Sequence, residues 1–414
     1  MHMSLLNADN YPYILTWNWD DLNTPNPNEN KIEYRNNSLL FHIRDWTDKD
    51  YFYIEFLHGD AFVYYPINTL MDDNTFTKLK QGEITLALCN SHECYHTVVQ
   101  WIFKEVIKKH DIPSKNVLLI TESADISREI IYVSTKLDLE PFLHETVFEF
   151  EKSSQWDAEA NKIKPKTLEF KTYDKKFLSF NGFYRPHRAS LLLMLYAKNL
   201  ENKGYLSYNS SSILKPTPEE SIYFLSEMGQ SSSEFLELIE KGKEKFLNTD
   251  IIRLDDPNWN AKYSIDNQVY QFYENTYFSV ITETNCTLRS LTNYFLTWGG
   301  DTGVGRVISE KTFRTIGLKH PFILLAVPKT LELLRSLGYK TFNPFIDESY
   351  DDEFDDAKRF VKIIDEIEKL CNLNHQQLEE FLINCKSICD YNYNVLLSKK
   401  KFNHVIPLER TYWL

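Results

Sequence analysis

The alternation of apolar runs with helical stretches constrains this chain most. Ile84-Thr85-Leu86-Ala87-Leu88 has the length and content of a buried strand. Tyr95 to His110 follows with Val98, Val99, Ile102, Phe103, Val106 and Ile107 at helical spacing, and Asn116 to Thr121 is apolar again before Glu122 and Ser123. Strand, helix, strand in this order makes a βαβ unit, and hence a parallel sheet. Upstream, Ser38 to Ile43, Tyr51 to Leu57 and Ala61 to Tyr65 read as further short strands.

A second α/β region begins at Phe177. Phe177 to Gly182 is strand-like, and Arg188 to Leu200 carries Leu191, Leu192, Leu195 and Leu200 on one side of a helix, with Gly204 as its expected stop. Tyr205 to Tyr208 is the next strand. The helical stretch from Pro216 to Leu247 reads as an insertion. Tyr277 to Glu283 and Pro321 to Ala326 are buried strands, while Thr330 to Leu337 and Asp355 to Leu370 are helices. With 414 residues there is room for two or three cores. The expected division is residues 1–165, a lysine-rich connection at 166–176, a second domain at 177–373 and a helical tail at 374–414. Two successive α/β domains suggest a cleft between them.

Several polar groups fall at strand ends, where open parallel sheets bind ligands. Asn181 to Arg188 joins a strand to a helix and gathers Arg185, His187 and Arg188 where that helix starts. Cations there oppose the helix dipole, so an anionic ligand is the expected reason for them. Ser309-Glu310-Lys311-Thr312 opens another helix. Its N–H groups and Lys311 suit a diphosphate, and Glu310 suits the paired hydroxyls of a ribose. Together these are the parts of a nucleotide sugar, so a glycosyltransferase is the expectation. Glu283, at the end of its strand, is a candidate base or a structural acceptor.

In the first half, His58, Asp60, His92, Glu93 and Glu122 follow strands. His58, Asp60 and Glu122 are candidates for catalysis, and His92 and Glu93 for the acceptor side. The acids from Asp347 to Asp356 suit helix starts better than a metal site. Asp48-Lys49-Asp50 has the Asp-x-Asp form of metal-dependent transferases but follows no apolar strand, so no metal or other cofactor is expected.

A formal net charge of −13 disfavours nucleic acid and anionic membrane as general partners, leaving only local basic faces at Lys162 to Lys176 and Lys399 to Lys401. None of the six cysteines forms a Cys-x-x-Cys pair, which fits reduced thiols and a cytoplasmic location. No apolar run reaches membrane length, and Met1 to Asp21 is unlike a signal peptide.

Roughly Phe177 to Leu370 resembles a family of glycosyltransferase-like proteins of tailed phages and large DNA viruses. The matching segments are Asn181 to Arg188, Val280 to Thr284, Ser309 to Phe313, His320-Pro321-Phe322, Leu337 to Phe342 and Ile346 to Asp351. The Glu310-Lys311 pair is also similar to that of GT-B fucosyltransferases. The resemblance implies a GT-B fold, two Rossmann-like domains facing across a cleft, with the donor on the second. It assigns ribose to Glu310 and diphosphate to Lys311 and Arg188, with Asn181, Arg185 and Thr312 in the same donor site. The acceptor is then a hydroxyl on a glycan or small molecule. The alternatives are a 5-hydroxymethylated pyrimidine in phage DNA, which would place the enzyme in host cytoplasm, and a non-catalytic sugar-nucleotide or glycan-binding protein.

Overall fold

The computed structural model describes residues 13–15, 50–56, 71, 73–90, 97–146, 148, 151, 154–155, 158–159, 165–166, 172–181, 185–209, 222–223, 226, 231–249, 251–252, 267–284, 286 and 305–399. The expected strands at 38–43 and 61–65 lie outside these residues. The chain divides into two compact units, Met1–Glu149 with Lys400–Leu414, and Phe150–Lys399.

The first unit is built on a parallel sheet of β1 (Tyr13–Leu15), β2 (Asp50–Phe56), β3 (Ile84–Asn90), β4 (Val117–Thr121) and β5 (Leu143–Thr146), in that spatial order. Helix α1 (Asp73–Gln81) precedes β3, and α2 starts at Thr97–Trp101 and widens to π geometry over Ile102–Lys108. Helix α3 (Ile126–Leu137) carries the chain from β4 to β5. Leu86, Leu88, Val117 and Leu119 pack on Val99, Phe103 and Val106 of α2. Ala87, Leu118 and Ile120, pointing the other way, are buried as well. A strand covered on both faces needs a continuous apolar run, which is why the periodicity at 84–88 and 116–121 is so plain.

The second unit is a Rossmann-like α/β layer. Its sheet has the order β10 (Phe322–Leu325), β9 (Thr276–Thr282), β6 (Lys175–Asn181), β7 (Gly204–Asn209), β8 (Ile251–Ile252). Only β8, at the edge, runs antiparallel. Helix α4 (Pro186–Ala197) follows β6, α5 (Ser233–Leu247) lies between β7 and β8, and α6 (Asn267–Glu274) leads into β9. Helix α7 (Glu310–Gly317) precedes β10, and α8 (Thr330–Ser336), α9 (Asp356–Asn372) and α10 (His375–Ser398) complete the unit.

From β6 the chain steps outward one way to β7, and from β9 it steps the other way to β10. The order reverses between these neighbours, so β6 and β9 flank a topological switch point. Right-handed crossovers then put α4 and α7 on opposite faces. In agreement, α4 packs with α5 and α9 while α7 packs with α10.

Four details differ from the sequence reading. Gly204 does not stop a helix. It is the first residue of β7, where a Cβ would come within 2.7 Å of Cε1 of the Phe177 ring. Helix α5 is no appendage, since it packs along α4 so closely that a Cβ on Gly242 would meet the Leu193 carbonyl carbon at 2.8 Å. The lysine-rich stretch is part of the second unit. Lys166 is buried, its N–H bonds Leu318 O at 3.0 Å, and its ammonium reaches Thr276 O at 2.5 Å and lies over the Tyr173 ring. The tail at 374 likewise starts α10 inside that unit, with a capping box between Asn374 and Gln377.

Candidate functional site

The carboxyl ends of β6 and β9 each deliver the chain to a cluster of polar residues. Asn181, the last residue of β6, accepts a hydrogen bond from Thr282 Oγ1 at 2.9 Å and donates to Ser179 Oγ at 3.1 Å. It is buried and acts as a strut between the two strands. Beyond it, Arg185-Pro186-His187-Arg188 starts α4. Proline suits this first turn because its missing N–H would have no helical partner anyway. No acidic residue stands in that turn, and among the described residues no side chain caps it. The positive end of the dipole thus carries two arginines and a histidine, an arrangement that is costly without an anion.

From β9 the chain enters Glu283, which is 1% exposed. Its Oε1 accepts from Ser309 N at 3.1 Å and from Thr312 Oγ1 at 2.5 Å. Glu283 therefore brackets the start of α7 onto the end of β9. Ser309 is the N-cap, its hydroxyl accepting from Lys311 N at 3.3 Å. Thr312 has no exposed surface, so its hydroxyl belongs to this bracket and not to a ligand face. Lys311 and Glu310 remain at the rim. The ammonium of Lys311 contacts Glu310 Oε1 at 2.9 Å and Ser309 Oγ at 3.2 Å, with the two side chains 27% and 16% exposed.

The charges of the two helix starts act on one another. Burial lowers the pKa of Arg188 to about 10, and Arg185 adds to that, while Glu310, Cys286 and Glu283 oppose it. Burial pushes the Glu310 carboxyl up, but Lys311 and Arg314 outweigh it and hold the group below its ordinary value. His187 is driven far below the usual imidazole range by burial, then by Arg188, Arg185 and Lys311, against a hydrogen bond to the Glu283 backbone. It is neutral at physiological pH. Three cations (Arg185, Arg188, Lys311) and two carboxylates (Glu283, Glu310) thus act on one another at the switch point, leaving a net positive charge that favours an anion.

The structure brings together Asn181, Arg185, Arg188, Glu283, Glu310, Lys311 and Thr312. Glu122 lies in the other unit, buried at the end of β4. His58, Asp60, His92 and Glu93 lie outside the described residues, as do Asp48 and Lys49. The acidic stretch does what its composition suggests. Asp351 accepts from Leu331 N and Glu332 N at 2.9 and 3.0 Å, capping α8, and Asp355 caps α9. No group of three His, Cys, Asp or Glu among the described residues is set to hold a metal ion. Ser309 has no role of its own in the sequence reading, being signalled only by the Ser-x-x-Thr spacing of a helix start. His187 is grouped there with Arg185 and Arg188 as a cation, and burial beside those arginines makes it neutral instead.

No family model and no curated protein matches the chain. Among solved structures it is similar to the N-terminal domain of a Candida albicans trehalose-6-phosphate phosphatase, with a TM-score of 0.37 and 10% identity over 87% of this chain and 69% of that one. A likeness of that degree leaves function to be argued from the site.

Proposed function

We propose that the chain is a glycosyltransferase of the GT-B class, moving a sugar from a nucleotide-sugar donor to a hydroxyl acceptor. The reading rests on one observation: two helix starts bearing Arg188 and Lys311, with Glu310 paired to Lys311 and acting on Arg188, meet at the switch point of a parallel sheet. In this reading Lys311, Arg188 and the uncapped N–H groups of α4 neutralise the diphosphate, both in the bound donor and as charge builds on the leaving group. Glu310 accepts hydrogen bonds from the ribose hydroxyls, releasing Lys311 for the phosphates. Glu283 and Thr312 hold α7 in position. Glu122 is the described candidate for activating the acceptor hydroxyl from the first unit.

A glycan or small hydroxylated acceptor is favoured over DNA. The described lysines of the 162–176 stretch, Lys166, Lys175 and Lys176, spend their ammonium groups on backbone carbonyls of Thr276, Asn202 and Leu373, while Lys162, Lys164 and Lys171 lie outside the described residues. No helix of the described residues is long and apolar enough to cross a membrane.

Thermal shift with a panel of UDP-, GDP- and dTDP-sugars tests the donor reading, because a ligand of the native state raises the melting temperature. Lys311→Ala removes a charge-assisted contact worth ~1.5–3 kcal/mol, so affinity for the stabilising donor falls by about tenfold or more. Arg188 is buried, so Arg188→Lys is the cleaner variant there. Unchanged affinity in both, by calorimetry, overturns the assignment.

A further inference from the structure

His187 is 3% exposed, and its Nε2 has no hydrogen-bond partner among the described residues. Nε2 is the unpartnered ring nitrogen and the Glu283 backbone favours a protonated ring, which assigns the proton to Nδ1 and a bare lone pair to Nε2. The charged groups facing it come from each surrounding element: Arg185 and Arg188 from α4, and Lys311 from α7. The Glu283 carboxylate at the end of β9 has Oε1 committed to Ser309 and Thr312. Glu310 and Cys286 face Arg188. A lone pair buried among three cations is an odd neighbour for an anion as it stands, since it repels one. It becomes a donor once it holds a proton.

We propose that His187 is an anion-binding residue of this site: an oxyanion seated against the start of α4 draws one proton from solvent onto Nε2, and the imidazolium then donates to that oxyanion. The proposal rests on the reading of this corner as the diphosphate site. Empty, the site keeps the ring neutral, because a fourth positive charge beside Arg185, Arg188 and Lys311 is unfavourable. Two negative charges brought among them reverse the local sign. By linkage, binding and proton uptake strengthen each other, so affinity rises as pH falls from 8 towards 6. An anion-dependent proton on a helix N-terminus also lets the site discriminate, since a neutral sugar or nucleoside gains nothing from it.

The direct test is nitrogen-15 NMR of the full chain labelled at histidine, with the His187 signal identified by its loss in His187→Gln. Sulfate serves as the probe because it does not titrate near neutrality, and chloride at equal ionic strength as the control. Sulfate lifts the His187 midpoint from far below the usual imidazole range to about 6.5 or higher. In wild type its thermal stabilisation grows from pH 7.5 to pH 6, and in His187→Gln it is flat. Should the variant fail to fold, wild-type calorimetry in two buffers of different ionisation enthalpy reads the proton uptake unaided. A midpoint unmoved by sulfate, or sulfate binding without proton uptake, overturns the proposal. If sulfate shifts the midpoint and no nucleotide sugar does, His187 keeps its role and the donor assignment falls instead.

Discussion

Glu283 offers the sharpest test of how the site is held. Its Oε1 accepts from two donors, Ser309 N and Thr312 Oγ1, which belong to residues 3% and 0% exposed. Glu283→Ala removes that acceptor and leaves two buried donors unpaired, at ~1–3 kcal/mol each. We expect ~3–5 kcal/mol in all, because the change also takes a carboxylate away from Arg188. At ~2–4 °C per kcal/mol for a chain segment of this size, the melting temperature of the second unit falls by roughly 6–20 °C. Glu283→Gln keeps an oxygen for both donors and loses only the charge assistance, about half of each bond, so it costs ~1–2 kcal/mol. Urea denaturation followed by circular dichroism measures both variants. If Glu283→Ala cost under ~1 kcal/mol yet abolished sugar transfer, the bracket argument would be wrong and Glu283 would be a reacting carboxylate.

Gly242→Ala gains ~1 kcal/mol in helix propensity but drives a methyl into the Leu193 backbone, so the net change is a loss of ~2 kcal/mol; a variant as stable as wild type in urea refutes the close approach of α4 and α5. His187 and His320 both have depressed pKa values, so each contributes stability that is complete above pH 6.5 and lost below it. Unfolded imidazoles take up protons there and the buried ones do not. The slope approaches ~1.4 kcal/mol per pH unit for each histidine, and urea midpoints that stay level from pH 7 to pH 5 contradict it. Sugar transfer should persist in EDTA, since Lys311 and Arg188 supply the charge at the diphosphate; full loss of activity restored by manganese argues for a metal-dependent site.

The sheet of the second unit could be read from sequence because β9 and β10 are buried along their whole length and β6 over residues 177–179, so each shows as a short, mainly apolar run interrupted at most by one serine. Their polar ends could be read for the same reason: each run stops where the sheet does. The pairing of Glu283 with Thr312 could not, since it depends on how a helix 29 residues downstream returns to its strand. Gly204 was misread because glycine after a helix usually signals its end, whereas here the Phe177 ring fills the volume a side chain would need. Gly242 carried a usable signal, an isolated glycine inside a helical pattern, which marks close packing. His320 shows how little one residue discloses alone. Its Nε2 faces the Thr276 carbonyl at 3.0 Å and must donate, so Nδ1 accepts from Ser279 at 2.8 Å, and both ring nitrogens are spent on β9.

Glu151 draws the beginning and the end of the second unit together. It accepts from Tyr339 Oη at 2.6 Å and pairs with Lys399 at 3.3 Å, while Gln155 donates to Lys399 O at 2.8 Å. The 250 residues from Phe150 to Lys399 thus leave the polypeptide and return to it at one buried knot, like a loop closed at its base. Such a segment is a natural cassette. It can be cut out at both ends without severing its own hydrogen bonds, or its ends can be joined and new ones opened elsewhere. A fragment begun at Phe177 discards the clasp and the Lys166 anchor together, and would be a poor representative of the folded unit.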